Sequence, residues 1–307
     1  MSPSTAKSTA VLVTALVLAL GACSEGTSPS GGTSNALSQA QANDISSDVT
    51  LDLDELAELS MYDGSNGVSL GAAPHGGVSS QSGPPAACVT VSPTPVVNSD
   101  GDAVPDSVRF DYSNCTFTRF GGTVTDALSG TIDFVDPLPT QANLGVRHHF
   151  NDFTRTRTNS VTPLRSFKAV YNGTREWGGD ADTLGHTITN FVSQWTHPSG
   201  RVTTHTKDWV ARFTAATPGT ISLVTPLPAG SFTVNGTGSW ATLNRTWSVQ
   251  TTTVADLVYD PTCQVAPRFT AGQVDLVVTR NGVVTNVSIV FTACGTYTVT
   301  RTPGTTT

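Results

Sequence analysis

The chain has little charge of either sign and few of the long side chains that favour helices. Asp, Glu, Lys and Arg make up 13% of its 307 residues, and there are three lysines, four glutamates and two methionines. Apolar residues at helical spacing are equally scarce, which excludes a mainly helical body. No basic patch exists. From Ala86 onward fifteen acidic residues stand against fifteen Lys plus Arg, and nucleic-acid binding needs a cationic footprint that this balance excludes. No C-x₂-C pair occurs, which argues against zinc. No apolar run reaches the roughly 18 residues of a membrane-spanning helix.

What is present begins at the N-terminus. Lys7 is followed by an eleven-residue apolar run over 10–20 and then by Leu20-Gly21-Ala22-Cys23. The run suits the core of an export signal and is too short to span a bilayer. Leu20–Cys23 resembles the lipobox of bacterial lipoproteins. That resemblance implies removal of residues 1–22, acylation of Cys23 and attachment to a membrane through the N-terminal lipid. Two or more acyl chains, at about 0.8 kcal/mol per buried CH₂, make a stable anchor. Ser24 resembles proteins sorted to the outer membrane of two-membrane bacteria. The alternative is an ordinary secretory signal with a chance cysteine.

Cys88, Cys115, Cys263 and Cys294 remain. An even number in an exported chain predicts two disulfides. Of three pairings, Cys88–Cys115 and Cys263–Cys294 are favoured, because each pair brackets a strand–turn–strand segment. Each loop would add roughly 3–4 kcal/mol in the chain-entropy view.

Residues 23–42 are polar and Gly/Ser/Thr-rich and read as a flexible linker. Over 43–62, Ile45, Val49, Leu53 and Leu56 recur at spacings of three and four, with Asn43 or Asp44 as N-cap. This predicts one short amphipathic helix whose other faces carry Asp48, Asp52, Asp54, Glu55 and Glu58. It either docks on its own domain or binds a partner. Residues 63–85 return to a Gly/Ser/Pro linker. The flexible parts total about 45 residues, a coil of roughly 35–40 Å r.m.s. reach, holding the body clear of the headgroups.

The body, 86–303, is rich in Thr and Val, which favour strands. Val108, Phe110 and Tyr112 alternate with polar residues, as do Ile132 and Phe134, and the pattern repeats downstream. Asn172-Gly173, Asn235-Gly236 and Asn281-Gly282 read as hairpin turns separating strands. His197-Pro198-Ser199-Gly200 predicts a type I turn with a bulge at Gly200. It pairs His197 with Arg201 and Gln194 with Thr204, and puts Phe191, Trp195 and Trp209 on one face. Ten or more short-linked antiparallel strands predict an all-β fold, a single large sandwich or a curved, barrel-like sheet, with one short N-terminal helix.

Few stretches suggest chemistry. Asn98-Ser99-Asp100-Gly101-Asp102-Ala103-Val104-Pro105-Asp106 resembles the calcium loops of thrombospondin type 3-like repeats. Carboxylates at alternate positions of a turn can wrap one hard cation. The resemblance implies a structural Ca²⁺ held by Asn98, Asp100, Asp102 and Asp106, with further ligands from the body or water. The bland alternative is a polar turn. Glu176, Asp180 and Asp182 read as a solvated turn. Gly67-Val68-Ser69-Leu70-Gly71 matches a nucleophile-elbow string, but it lies in a linker without the strand and helix such an elbow needs. His148 and His149 are adjacent and must point to opposite faces of a strand, while His197 and His205 lie too far apart for one metal. Trp177, Trp195, Trp209, Trp240 and Trp247 either fill the core or line a groove for sugar or lipid.

Val234–Ser239, the Trp247 strand and the closing segments over 272–299 resemble the end of β-rich lipoproteins of high-GC bacteria, which bears on class and place alone. The expectation is a membrane-anchored envelope lipoprotein with a structural or interaction role, partnered by an envelope protein or glycan, and not an enzyme. The alternative is a glycan- or lipid-binding module that uses an aromatic-lined face.

Overall fold

The computed structural model describes residues 36–58, 88–102, 104–119, 122–163, 166–222, 225 and 227–306. The expected signal, Cys23, the 63–85 linker and the Gly67–Gly71 string lie outside the described residues.

Helix α1 (Gln39–Glu58) starts earlier than the apolar spacing suggests. Its cap is Ser38, not Asn43 or Asp44. The Ser38 hydroxyl accepts from the Gln41 amide at 3.2 Å, and the Gln41 side chain accepts from the Ser38 amide at 2.9 Å. This reciprocal pair satisfies two amide donors that a helix start otherwise leaves open.

Twelve strands follow: β1 (Val89–Ser92), β2 (Ser107–Arg119), β3 (Val124–Val135), β4 (Val146–Asn159), β5 (Phe167–Gly179), β6 (Thr183–Thr196), β7 (Val202–Ala215), β8 (Gly230–Thr242), β9 (Arg245–Tyr259), β10 (Phe269–Arg280), β11 (Val283–Ala293) and β12 (Thr296–Thr306). Each pairs antiparallel with the next, giving one sheet in sequence order. Among the described residues β12 does not pair back to β1, so the sheet is curved but open, and the sandwich alternative does not apply. The β6–β7 hairpin has the expected register. The His197 amide donates to the Arg201 carbonyl at 2.9 Å, Gln194 pairs with Thr204, and Gly200 has φ +79°. The disulfides join Cys88 to Cys115 and Cys263 to Cys294, with Cα atoms 5.3 and 5.6 Å apart.

Two of the expected turns are not turns. Asn172-Gly173 lies inside β5 and Asn235-Gly236 inside β8, while Asn281-Gly282 does connect two strands. The first two belong to a line of irregularities running across the sheet. Asn114, Asp152 and Asn190 adopt left-handed backbone on β2, β4 and β6, and Gly130, Gly173, Gly236 and Gly272 have positive φ on β3, β5, β8 and β10. Pairing registers shift at these places. Neighbouring side chains take up the displaced amides. Asn172 Oδ1 accepts from the Asp152 amide at 2.8 Å, and Asp208 Oδ1 accepts from the Asn190 amide at 2.7 Å. Asn, Asp and Gly are the residues that tolerate this backbone. At Gly236 a Cβ would stand 2.2 Å from the Asp208 carbonyl oxygen, so no other residue fits without a shift. Bulges bend and twist a sheet, and a line of them curls this one.

The curl encloses α1. The helix region contacts β4 through Arg155, β7 through Lys207, β8 through Trp240, and β11 and β12 through Leu37. In a flat sheet β4 and β12 would lie roughly 38 Å apart at strand spacing, several times the width of a helix. The apolar stripe of Ile45, Val49, Leu53 and Leu56 is buried against an aromatic-rich wall that includes all five tryptophans. The helix thus docks within its own domain.

Candidate functional site

The strands point mostly apolar residues inward, but β4 to β7 interrupt that pattern with charge. Arg155, Arg157, Arg175, His186, His205 and Lys207 all occupy buried positions. A buried charge is costly unless paired, and α1 supplies partners for Arg155, His205 and Lys207. Asp44, Asp48, Asp52 and Glu55 follow each other at spacings of four and three, forming a second stripe beside the apolar one. The acids at 48, 52, 54 and 55 are therefore not solvated, as the amphipathic pattern suggests, but buried.

Each acid meets named groups on the sheet. Asp48 accepts from Trp240 Nε1 at 2.7 Å and lies 2.9 Å from His197 Nε2, at an angle outside hydrogen-bond geometry. Arg201 stands 3.5 Å from both Asp44 and Asp48. Asp52 accepts from Lys207 Nζ and contacts His205 Nδ1. Lys207 also donates to the Ser193 hydroxyl at 2.8 Å. Asp54 accepts from the Arg268 amide at 2.8 Å and from its Nε at 3.1 Å. Glu55 accepts from Arg155 at 2.8 Å, while Asp126 of β3 is gripped by Arg155 and Arg157 together. Burial works to raise the Asp52 carboxyl, but Lys207 and His205 outweigh it and hold it down at about 2. Burial pushes the Lys207 ammonium down to about 8 against the pull of Asp52.

Beyond the helix lies a second polar group. Arg175 is fully buried, its guanidinium 4.2 Å from the Phe191 ring centroid, and none of its nitrogens has a hydrogen-bond partner among the described residues. Burial lowers its pKa, while Glu55, Tyr171 and Asp52 act to raise it. His186 stacks on Trp177 with centroids 3.8 Å apart. Burial, then Arg175 and His148, hold His186 well below its usual range, so it is neutral.

A cleft of about 130 Å³ opens beside α1, lined by Ser47, Thr50, Arg157, Phe167, His197 and Tyr297 among others. Pockets for organic ligands usually run to about 300–1,000 Å³, so this one suits water or a small polar group.

The acidic loop is arranged differently from its sequence pattern. Asp106 accepts from the Ser99 hydroxyl at 2.6 Å and the Ser99 amide at 2.7 Å, and these bonds lower its pKa. Asn98 Oδ1 accepts from the Gly101 amide at 2.8 Å. Both side chains thus hold the loop's own backbone. Asp100 and Asp102 instead converge with Asp136, at the end of β3. Sequence spacing has no access to Asp136, which is 34 positions from Asp102 and is brought close by the β2–β3 hairpin. In the second acidic segment Asp180 and Asp182 form the expected turn, with Asp180 Oδ1 accepting from the Asp182 and Thr183 amides, whereas Glu176 lies within β5 and pairs with Arg147 at 2.7 Å. His148 is buried and His149 exposed, on opposite faces of β4.

The residues most involved in the interior, Arg155, His205, Lys207 and Arg268, did not stand out as sites in the sequence. For Arg155, His205 and Lys207 the signal lies in the strand alternation, where cations fall on apolar-facing positions; Arg268 precedes β10 and has no such pattern. No known protein family, no curated protein and no solved structure matches this chain.

Proposed function

We propose that the protein is a membrane-anchored lipoprotein of the cell envelope whose β body has a structural or interaction role and no catalysis of its own. The observation that carries this reading is the filled concave face of the sheet. A calyx-like binder keeps that face open, whereas here α1 fills it and its buried acids are paired to the wall. The five tryptophans that would serve a sugar or lipid platform are at most 2% exposed. Recognition is thereby left to the outer face, where hydroxyls such as Thr156, Thr187, Thr214 and Thr252 are exposed.

The anchor rests on Leu20–Cys23 and its apolar lead. Because α1 belongs to the body, only about 15 residues separate Cys23 from the helix. On this reading the tether is shorter than the roughly 45 flexible residues that the sequence suggests, and an envelope protein or glycan meets the body near the membrane.

Growth of an expressing bacterium with an alkyne-tagged palmitate tests the anchor. The native chain is expected to carry the label in the membrane fraction, and Cys23→Ser to lose both label and membrane association. A native chain that is unlabelled and freely soluble would overturn the reading.

A further inference from the structure

At one end of the sheet, two connections bring three carboxylates together. Asp100 and Asp102 lie between β1 and β2, and Asp136 opens the link from β3 to β4. One carboxylate oxygen from each lies within 4.8 Å of the others. Asp136 is the decisive member because it is only 2% exposed. Its Oδ1 accepts from the Leu138 amide at 2.7 Å and lies 3.4 Å from Asn143 Nδ2, but its Oδ2 is buried with no hydrogen-bond partner. Asp100 Oδ2 is likewise buried and unpartnered. Among the described residues, no Lys, Arg or His pairs with any of the three.

The surrounding backbone fixes this arrangement. Asp102 Oδ1 accepts from the Val104 amide at 2.6 Å, and its Oδ2 accepts from the Asn143 amide at 3.1 Å across the gap between the two connections. Asp100 Oδ1 accepts from the Asp102 amide at 3.1 Å. The Asp136 amide donates to the Asp106 carbonyl at 3.2 Å. Three like charges are thus held close by neutral donors, with two buried oxygens left over. A neutral polar turn would not leave them so. A small cation balances the charge and fills the open lone pairs at once.

We propose that Asp100, Asp102 and Asp136 bind one hard divalent cation of calcium's kind, with water completing its shell. All-oxygen carboxylate ligands suit such an ion, and magnesium gives up its water more reluctantly. The ligand set differs from the one the linear sequence suggests: Asn98 and Asp106 shape the loop, and Asp136 replaces them from the β3–β4 connection. The cation pins the β1–β2 connection to the β3–β4 connection. The proposal does not depend on the lipoprotein reading.

Calorimetric titration of the full chain, disulfides intact, with CaCl₂ and separately with MgCl₂ tests it, alongside melting in CaCl₂ and in EGTA. One Ca²⁺ per chain is expected, with Kd of about 10⁻⁴–10⁻³ M as in extracellular modules, and a higher melting temperature with Ca²⁺ than with EGTA. Asp136→Asn and Asp100→Asn are each expected to weaken binding by about tenfold or more, while Asp106→Asn changes it by less than about threefold. Asp100→Asn keeps the test valid if Asp136→Asn fails to fold. The proposal is overturned if the folded native chain binds no Ca²⁺ at about 10 mM. It is equally overturned if Asp106→Asn abolishes binding while Asp136→Asn and Asp100→Asn leave it intact.

Discussion

Asp52 of α1 and Lys207 of β7 form an ion pair in the interior, and neither side chain has measurable exposure. His205 contacts the second oxygen of the same carboxylate. One acid therefore serves two potential cations, and the two belong to a single strand, two residues apart. Their position fixes the depth and rotation of the helix in the sheet, because an adjacent helical position would point Asp52 about 100° away.

Removing Asp52 should therefore cost far more than its share of contacts. Asp52→Asn leaves Lys207 buried without an anion, a situation that typically costs about 3–5 kcal/mol. Total stability for a domain is only about 5–15 kcal/mol. Replacing both partners, as Asp52→Leu with Lys207→Met, removes the desolvation cost together with the attraction. Urea unfolding should show the double variant to be more stable than Asp52→Asn alone. If the single change costs under about 1 kcal/mol, the pair does not hold the helix.

Arg175 and Arg155 offer a contrast within one sheet. Both are buried arginines on neighbouring strands, but Arg155 binds Glu55 and Asp126, whereas Arg175 stands over ring faces and makes no hydrogen bond among the described residues. Arg155→Met should cost about 3–5 kcal/mol, because it strands the buried Glu55 carboxylate and leaves Asp126 to Arg157 alone. Arg175→Met should lie within about 1 kcal/mol of the native chain or stabilise it, because an apolar isostere removes donors that make no bonds. Equal losses in the two unfolding midpoints would contradict this assignment of partners.

The sequence shows the sheet more clearly than what the sheet encloses. Alternation at Val108, Phe110 and Tyr112 reads directly as a half-buried strand, because side-chain direction on a strand depends only on parity. The His197–Gly200 turn fixes a register that holds from Thr196–Val202 to Phe191–Lys207, where the bulge at Asn190 shifts it. Asn172-Gly173 and Asn235-Gly236 misled because a left-handed residue beside Gly serves a hairpin turn and a mid-strand bulge equally well. What separates the two is the neighbouring strand, which local sequence does not contain. The helix was recognisable from Ile45, Val49, Leu53 and Leu56, but its acids looked like a solvated face because their cations lie about 100 to 214 positions away. Asp136 went unnoticed for that reason too. The disulfides were legible because each closes a local loop.

Several buried groups together predict an alkaline shift in the pH of greatest stability. His186 is held neutral in the fold but takes a proton near 6.5 when unfolded. Below that pH the unfolded chain binds one more proton, so stability should fall by about 1.4 kcal/mol per pH unit. Asp52 has the same sign lower down: its folded value of about 2 lies below the unfolded 3.8, and the stability it contributes is lost as pH falls between them. Lys207 again has this sign, because the unfolded chain keeps its proton to about 10.5 while the folded one releases it near 8. Stability should therefore rise from pH 8 upward. Tyr171 opposes this at the top. Burial first, then Glu55, raise its phenol well above 10, so stability is lost once the unfolded chain begins to ionise there. The urea midpoint should peak between about pH 8 and 10, above the usual range of about 5–8. His186→Phe keeps an aromatic ring against Trp177 and should flatten the slope between about pH 6.5 and 5 while leaving the alkaline rise in place. A native profile that peaks near pH 6, or an unchanged acid slope in His186→Phe, would show that these buried groups do not govern it.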